Sequence, residues 1–224
     1  MSWVLDNLDL IWSLTVAHLR QSAIAVAAGF VLAVPIGWLA FRYTPLRGTL
    51  LTIVGLLYTI PSFALFPLIT AFLGIPTLSE ANLIVALTIY AVAIMTRSVT
   101  DGLASVDAAT RSAAVAVGFG AWRRFWTVDF PLAGPVILAG LRVTAMSTIS
   151  LATVGALIGV QNLGYLFTNG SQRRIVAEVF AGVVAVVVIA VLIDLVLLLL
   201  GRALLPWSRR TVTPRMDRLQ WAHV

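Results

Sequence analysis

The sequence contains no cysteine, which excludes disulfides and thiolate chemistry and leaves the redox compartment unread. It contains no lysine either: all fifteen basic side chains are arginine. A P-loop ATPase needs the lysine of G-x-x-x-x-G-K-[ST] on the nucleotide phosphates, so any ATP-driven step belongs to another subunit. The two histidines, His18 and His223, stand near opposite ends. A metal cluster or a His-based triad is therefore not expected, and no cofactor is implied. Charge is scarce, at 11% of residues. The net charge of +6 comes from arginines that flank apolar stretches without forming a basic domain, which argues against nucleic acid as a partner.

What fills the chain instead is oil. Apolar residues make up 60% of 224 positions, more than a soluble core of this size needs, and this composition places the chain in the membrane class. The expected fold is an all-α integral membrane protein with five transmembrane helices, six being the alternative. Residues 1–17 read as an amphipathic segment on the membrane surface, with Trp3, Leu5, Leu8, Ile11 and Trp12 interleaved with Asp6, Asn7 and Asp9. This N-terminus lacks the basic region and small-residue cleavage site of a secretory signal and is expected to be retained.

Spans are expected at about 22–41, 49–73, 82–99, 132–160 and 178–201, each near or above the ~20 residues that a bilayer core requires. The second contains YTIPSFALFPLI. Pro61 and Pro67 each remove a backbone donor, so an irregular helix is expected near Tyr58–Pro67. Breaks of this kind line pathways in transporters, which makes Tyr58, Thr59, Pro61, Ser62 and Phe63 the candidate translocation path. Ring faces attract quaternary ammonium groups, and Tyr58, Phe63, Phe66 and Tyr90 lie in such spans. The fourth span holds Gly155 and Gly159, spaced for close packing. Residues 161–177 read as a polar connector.

The least oily interior stretch runs from Asp101 to Pro131. Asp107 can cap a short helix over 108–117, Gly118 can end it in the left-handed conformation, residues 121–128 can form a second helical turn, and Asp129 with Pro131 can start the next span. Arg111, Arg123, Arg124, Trp122 and Trp126 on this helix-turn-helix suggest a surface for another protein. Orientation follows from the arginines. Arg42, Arg47, Arg111, Arg123, Arg124 and those of a basic tail over 202–224 share one side of a five-span chain, against Arg20, Arg173 and Arg174 on the other. The positive-inside rule makes the first side cytoplasmic, with the N-terminus outside and the C-terminus inside.

Within that stretch Ser112, Ala113 and Ala114 are followed after three residues by Gly118, and after nine more by Val128, Asp129, Phe130 and Pro131. The spacing resembles the permease subunits of binding-protein-dependent ABC importers, whose cytoplasmic loop reads E-A-A, three residues, Gly, nine residues, I-x-L-P; Ser112 stands where that family usually has Glu. The resemblance covers 18–201 as a permease domain. It implies a coupling helix that meets an ATPase through Ser112, Ala113, Ala114, Gly118, Arg123, Trp126, Val128 and Pro131. A second permease subunit, the same chain or a related one, and an extracytoplasmic substrate-binding protein are implied too, with the whole in the bacterial plasma membrane and in contact with lipid.

The stretches TIPSFALFPLI, RSVTDGLASVDAATRSAAVAVGFGAWRRF and PLAGPVILAGLRVTAMSTISLATVGALIG, with NLG at 162–164, look like the osmoprotectant branch, which imports glycine betaine, choline or carnitine. Permeases for methionine or other amino acids share the plan and are the alternative. An integral membrane enzyme would need convergent polar groups at one depth, and the spans hold only scattered ones. Asp194 is the acid placed well inside a span and needs a partner there. Counting helical rise from the same side puts Arg142 within about one turn of its depth, so an Arg142–Asp194 pair is expected between the fourth and fifth spans, with Arg97 as the other candidate.

Overall fold

A computed structural model describes residues 2–209. Of the tail expected over 202–224, residues 210–224, with Arg210, Arg215 and Arg218, lie outside the described residues, as does His223. A short helix α1 (Ser2–Asp6) leads into α2 (Leu8–Arg42), 35 residues without a break even at Pro35. At ~1.5 Å per residue α2 is about 52 Å long, well beyond the ~30 Å of a bilayer core. The segment over 1–17 that reads as amphipathic consists of α1 followed by the opening turns of α2. Leu14, His18, Gln21 and Ser22 are buried there, so this part of α2 is packed against other helices.

Helices α3 (Thr44–Thr59) and α4 (Ser62–Leu73) follow, bent by 110° at their junction. The second span is therefore two helices and not one kinked rod. Pro61 carries the break, whereas Pro67 sits inside α4 without interrupting it. Gly74 ends α4 with φ 69°, and Ser79 caps α5 (Glu80–Ala104) by accepting from the Asn82 N–H. Leu8–Arg42, Glu80–Ala104, Ala121–Ile158 and Val176–Leu204 are each long and apolar enough to cross a membrane, and the bent pair satisfies the same criteria only when taken together.

Small residues set the packing of α2 on α5. Ala25, Gly29, Ala33, Gly37 and Ala40 form a buried stripe at three- to four-residue spacing, the pattern that lets helix backbones approach closely in membranes. A Cβ on Gly29 would collide with Ala91, and one on Gly37 would come within 2.7 Å of Val99. The pairs Arg20–Glu80, Gly29–Ala91 and Gly37–Val99 ascend together, so α2 and α5 are parallel, and α3 with α4 returns the chain to the starting end.

The hairpin helices α6 (Ala108–Ala116) and α7 (Ala121–Arg124) come next. Residues 125–129 form a π-helical step that runs on into α8 (Phe130–Ala152). Asp129 therefore does not start a separate helix, and its side chain makes no capping bond. Here the Phe130 N–H reaches back to the Phe125 carbonyl, widening one turn just before Pro131. Past Ala152 a 3-10 segment (Thr153–Ile158) ends at Gly159 with φ 77°. Only Gly155 of the two expected packing glycines is in a contact, against Leu83 and Asn162; nothing lies within 4 Å of a Cβ on Gly159.

The expected connector contains a helix, α9 (Gly164–Gln172), and α10 (Val176–Leu204) closes the bundle before a 3-10 turn at Pro206–Arg209. Gly102 meets Ile137 and Gly140 meets Ser98, so α8 is antiparallel to α5; Gly201 meets Leu138, so α10 is antiparallel to α8. One end of the bundle accordingly gathers the 42–47 turn, the 101–131 stretch and the end of α10. The opposite end holds Arg20, Glu80 and α9.

Candidate functional site

Two features of this bundle are built for something other than packing. The first is the α6–α7 hairpin. Asp107 Oδ1 accepts from the Ala109 N–H at 3.2 Å and fixes the start of α6. Gly118, at φ 87°, ends it, while the Phe119 N–H closes on the Ala114 carbonyl at 3.0 Å; the left-handed turn is one that a β-branched residue resists. Ala114 is buried, Ser112 and Ala113 are exposed, and Val115, Val117, Trp122 and Trp126 stand out as an apolar crest. Val128 and Pro131 are half-buried on the inner side.

The arginines divide between the two sides of the hairpin, where the sequence suggested one shared docking surface. Arg123 faces outward over the Phe119 ring, 4.6 Å from its centroid. Arg111 and Arg124 turn inward and share one buried carboxylate: Arg111 Nε donates to Asp129 Oδ1 at 3.0 Å, and Arg124 Nε to Oδ2 at 3.2 Å. Arg111 also donates to the Leu103 carbonyl at the end of α5 and lies over the Phe41 ring of α2. Arg111 is thus the residue that ties the hairpin to three long helices, and Asp129, which reads as a helix start, is the carboxylate ahead of α8 that holds it in place.

The second feature is the break between α3 and α4. Ile60 and Pro61 are extended, and Pro61 cannot donate to the carbonyl four residues back. The Tyr90 hydroxyl donates to the Ile60 carbonyl at 2.5 Å and so satisfies a group that the break leaves open. Tyr58 stands edge-on to Tyr90, with centroids 5.7 Å apart. Tyr58, Thr59, Pro61 and Phe63 are exposed and Ser62 half-exposed, whereas Phe66 and Tyr90, offered as ring faces, are packed into the core. A cavity of about 360 Å³ opens beside the break, between α3 and α5, lined by Gly55, Tyr58, Ile94, Arg97, Ser98 and Asp101.

These parts match a known set. Residues 25–210 fit the model of the family described as binding-protein-dependent transport system inner membrane component. The chain belongs to this family. It is therefore the membrane subunit of a type I ABC importer. The osmoprotectant import permease protein OsmW of Salmonella typhimurium is 31% identical over 86% of this chain and 90% of its own length. The glycine betaine/carnitine/choline transport system permease protein OpuCB of Bacillus subtilis is 31% identical over 84% and 86%. Among solved structures, an inward-facing conformation of the MetNI methionine ABC transporter superposes with a TM-score of 0.81, at 21% identity over 89% of this chain and 98% of that one. At that identity the likeness speaks for the fold.

Two polar arrangements hold this inner-membrane component together. Arg142 Nε and Nη2 donate to Asp194 Oδ1 and Oδ2, both at 2.7 Å, a bidentate pair linking α8 to α10. Arg97 is instead one turn from Asp101, at 3.8 Å. Sequence reasoning passed over the other arrangement. Asn162 donates to Gln21 Oε1 at 3.1 Å and to the Ala152 carbonyl at 2.8 Å and accepts from the Gly164 N–H, while His18 meets the Ile149 carbonyl at 2.9 Å. Buried polar groups need such partners. The signal available was polar residues at four-residue spacing, His18 with Ser22 and Gln21 beside them, on an otherwise oily helix.

If the break lines a water-filled path, cysteines placed at 59, 62 and 63 will be reached by small aqueous thiol reagents in at least one nucleotide state, on a background without native cysteine. Protection of all three in every state would place the break against lipid or a sealed interface.

Proposed function

We propose that this chain is the permease subunit of an importer for osmoprotectants of the glycine betaine, choline and carnitine class, lying in the bacterial inner membrane with five crossings, the N-terminus outside and the α6–α7 hairpin in the cytoplasm. The observation that carries the solute class is the near full-length similarity to permeases whose names specify osmoprotectants and glycine betaine, carnitine and choline. The bent pair α3–α4 counts as the second crossing, supported by the parallel run of α2 and α5 on either side of it. Arg42, Arg47, Arg123 and Arg124 at the hairpin end support the orientation.

The chemistry is mechanical. A separate ATPase docks on the crest of Val115, Val117, Trp122 and Trp126, with Arg123 beside it. Aromatic and arginine side chains of this kind anchor protein interfaces. Ser112, Ala113 and Ala114 leave α6 slim enough to lie close to its partner. Closure of the ATPases pushes the hairpin, and the Arg111–Asp129 pair passes that push to α8 through Asp129 and to α5 and α2 through the contacts of Arg111 with Leu103 and Phe41. Two permease subunits enclose the path, which opens alternately to an outside binding protein and to the cytoplasm. The residues of this chain make and break no bonds.

The test is uptake in a transport-deficient strain carrying the permease with its operon partners. Labelled glycine betaine, carnitine or choline should accumulate in an ATP-dependent way. Accumulation of methionine and of none of the three would overturn the solute class and leave the importer plan standing.

A further inference from the structure

We propose that the cavity beside the helix break is a station for the solute inside the permease itself, and that it prefers quaternary amines bearing a carboxylate over choline. This rests on the osmoprotectant reading and narrows it.

Arg97 and Asp101 line the cavity, and with Arg47, which reaches Asp101 from outside the lining, the charges around it favour an acid. Asp101 is the carboxylate of the group, and it is shared: Arg47 Nη2 donates to its Oδ1 at 3.4 Å, and Arg97 lies 3.8 Å from its Oδ2. Two guanidinium groups against one carboxylate leave a positive charge uncompensated. Arg97 is the looser of the two. Its contact is more than an ångström longer than the 2.7 Å bonds that Arg142 makes to Asp194, and its side chain is 79% exposed. A ligand carboxylate can therefore take a bidentate grip on Arg97 without breaking a tight pair.

The other wall suits a cation without hydrogen-bond donors. Tyr58 lines the cavity and, though its ring stands perpendicular to that of Tyr90, remains 48% exposed. Tyr90 is anchored through its hydroxyl to the Ile60 carbonyl, so the break itself sets where this ring stands. A quaternary ammonium has no N–H to donate and is held best by a ring face. Arg97 and Tyr58 lie on facing helices of a cavity of about 360 Å³, room for a small zwitterion. Choline offers Arg97 only a neutral hydroxyl and brings a second positive charge to a site that already has one in excess.

The experiment uses the assembled importer, permease with its ATPase and binding protein, in proteoliposomes containing ATP, with labelled glycine betaine and choline measured in parallel. In Arg97→Gln the ratio of betaine to choline uptake should fall at least tenfold, and Arg97→Lys should restore part of it. In Tyr58→Leu uptake of both should fall about tenfold, and Tyr58→Phe, which keeps the ring, should stay close to the unmodified protein. Solute affinity of the isolated binding protein and the elution volume of the complex serve as controls. Parallel losses for both solutes in Arg97→Gln, or an unchanged ratio, would overturn the station while leaving osmoprotectant import intact. An unmodified complex that moves neither solute would overturn the reading beneath it.

Discussion

Asp129→Asn will loosen the hairpin from the bundle. The change keeps the shape and removes the charge that Arg111 and Arg124 share, leaving two guanidinium groups in a largely buried place without their counter-ion. Breaking a buried pair in this way costs about 3 kcal/mol or more, because the surviving charges stay desolvated. We expect a clearly lower melting midpoint in detergent and at least a tenfold loss of ATPase copurification. Asp129→Glu should retain part of both. Replacing the whole cluster, Arg111→Met with Arg124→Leu and Asp129→Leu, should recover much of the stability, since removing all partners together strands none of them. Arg123→Ala is the contrast: it faces outward, so it should weaken ATPase binding with little effect on melting. An Asp129→Asn permease that melts like the unmodified protein and keeps its ATPase would show that the carboxylate anchors nothing.

The second large effect is expected at the Arg142–Asp194 pair. Both groups lie within helices long and apolar enough to cross the membrane, where an ionised side chain without a partner is strongly disfavoured. The bidentate geometry makes each residue the other's main partner. Asp194→Arg sets two guanidinium groups against each other and Arg142→Asp two carboxylates, and each should cut the yield of folded permease in membranes several-fold. The double swap should restore a substantial part, because the opposite charges face again at the same depth. Silent single reversals, or a double no better than either single, would show that α8 and α10 are held by apolar packing alone. Few residues of α10 are buried in this chain, so the pair matters to its placement beside the Asn169–Glu178 bond that ties its first turn to α9.

Much of the architecture was legible because a membrane span is a local object. Its backbone must be hydrogen-bonded within itself, so a long apolar run reads as a helix whatever its neighbours do. The hairpin was legible for a similar reason: Asp107 and Gly118 act on backbone groups a few residues away. The depth match between Arg142 and Asp194 needed only helical rise and a count from a common side.

Where the chain itself was decisive, then, was in the helices, their caps, the proline break and the spacing of the 112–131 stretch, all set by forces acting over a turn or two. Tertiary structure decided what depends on which helices touch. Pro61 told of a break, but a proline only removes a bond; the 110° bend goes with how α3 and α4 pack on α5, the Tyr90 hydroxyl meeting the Ile60 carbonyl at the break and Asn82 donating to the Phe66 carbonyl within α4. Gln21 and Asn162 meet across 141 positions, and nothing local requires them to. Asp129 beside Pro131 looks like a helix start on local grounds. Arg124 is only five residues from Asp129 and is brought to it by the π-helical step, but Arg111, eighteen residues away on α6, reaches the same buried acid only once α6 has folded back against the bundle.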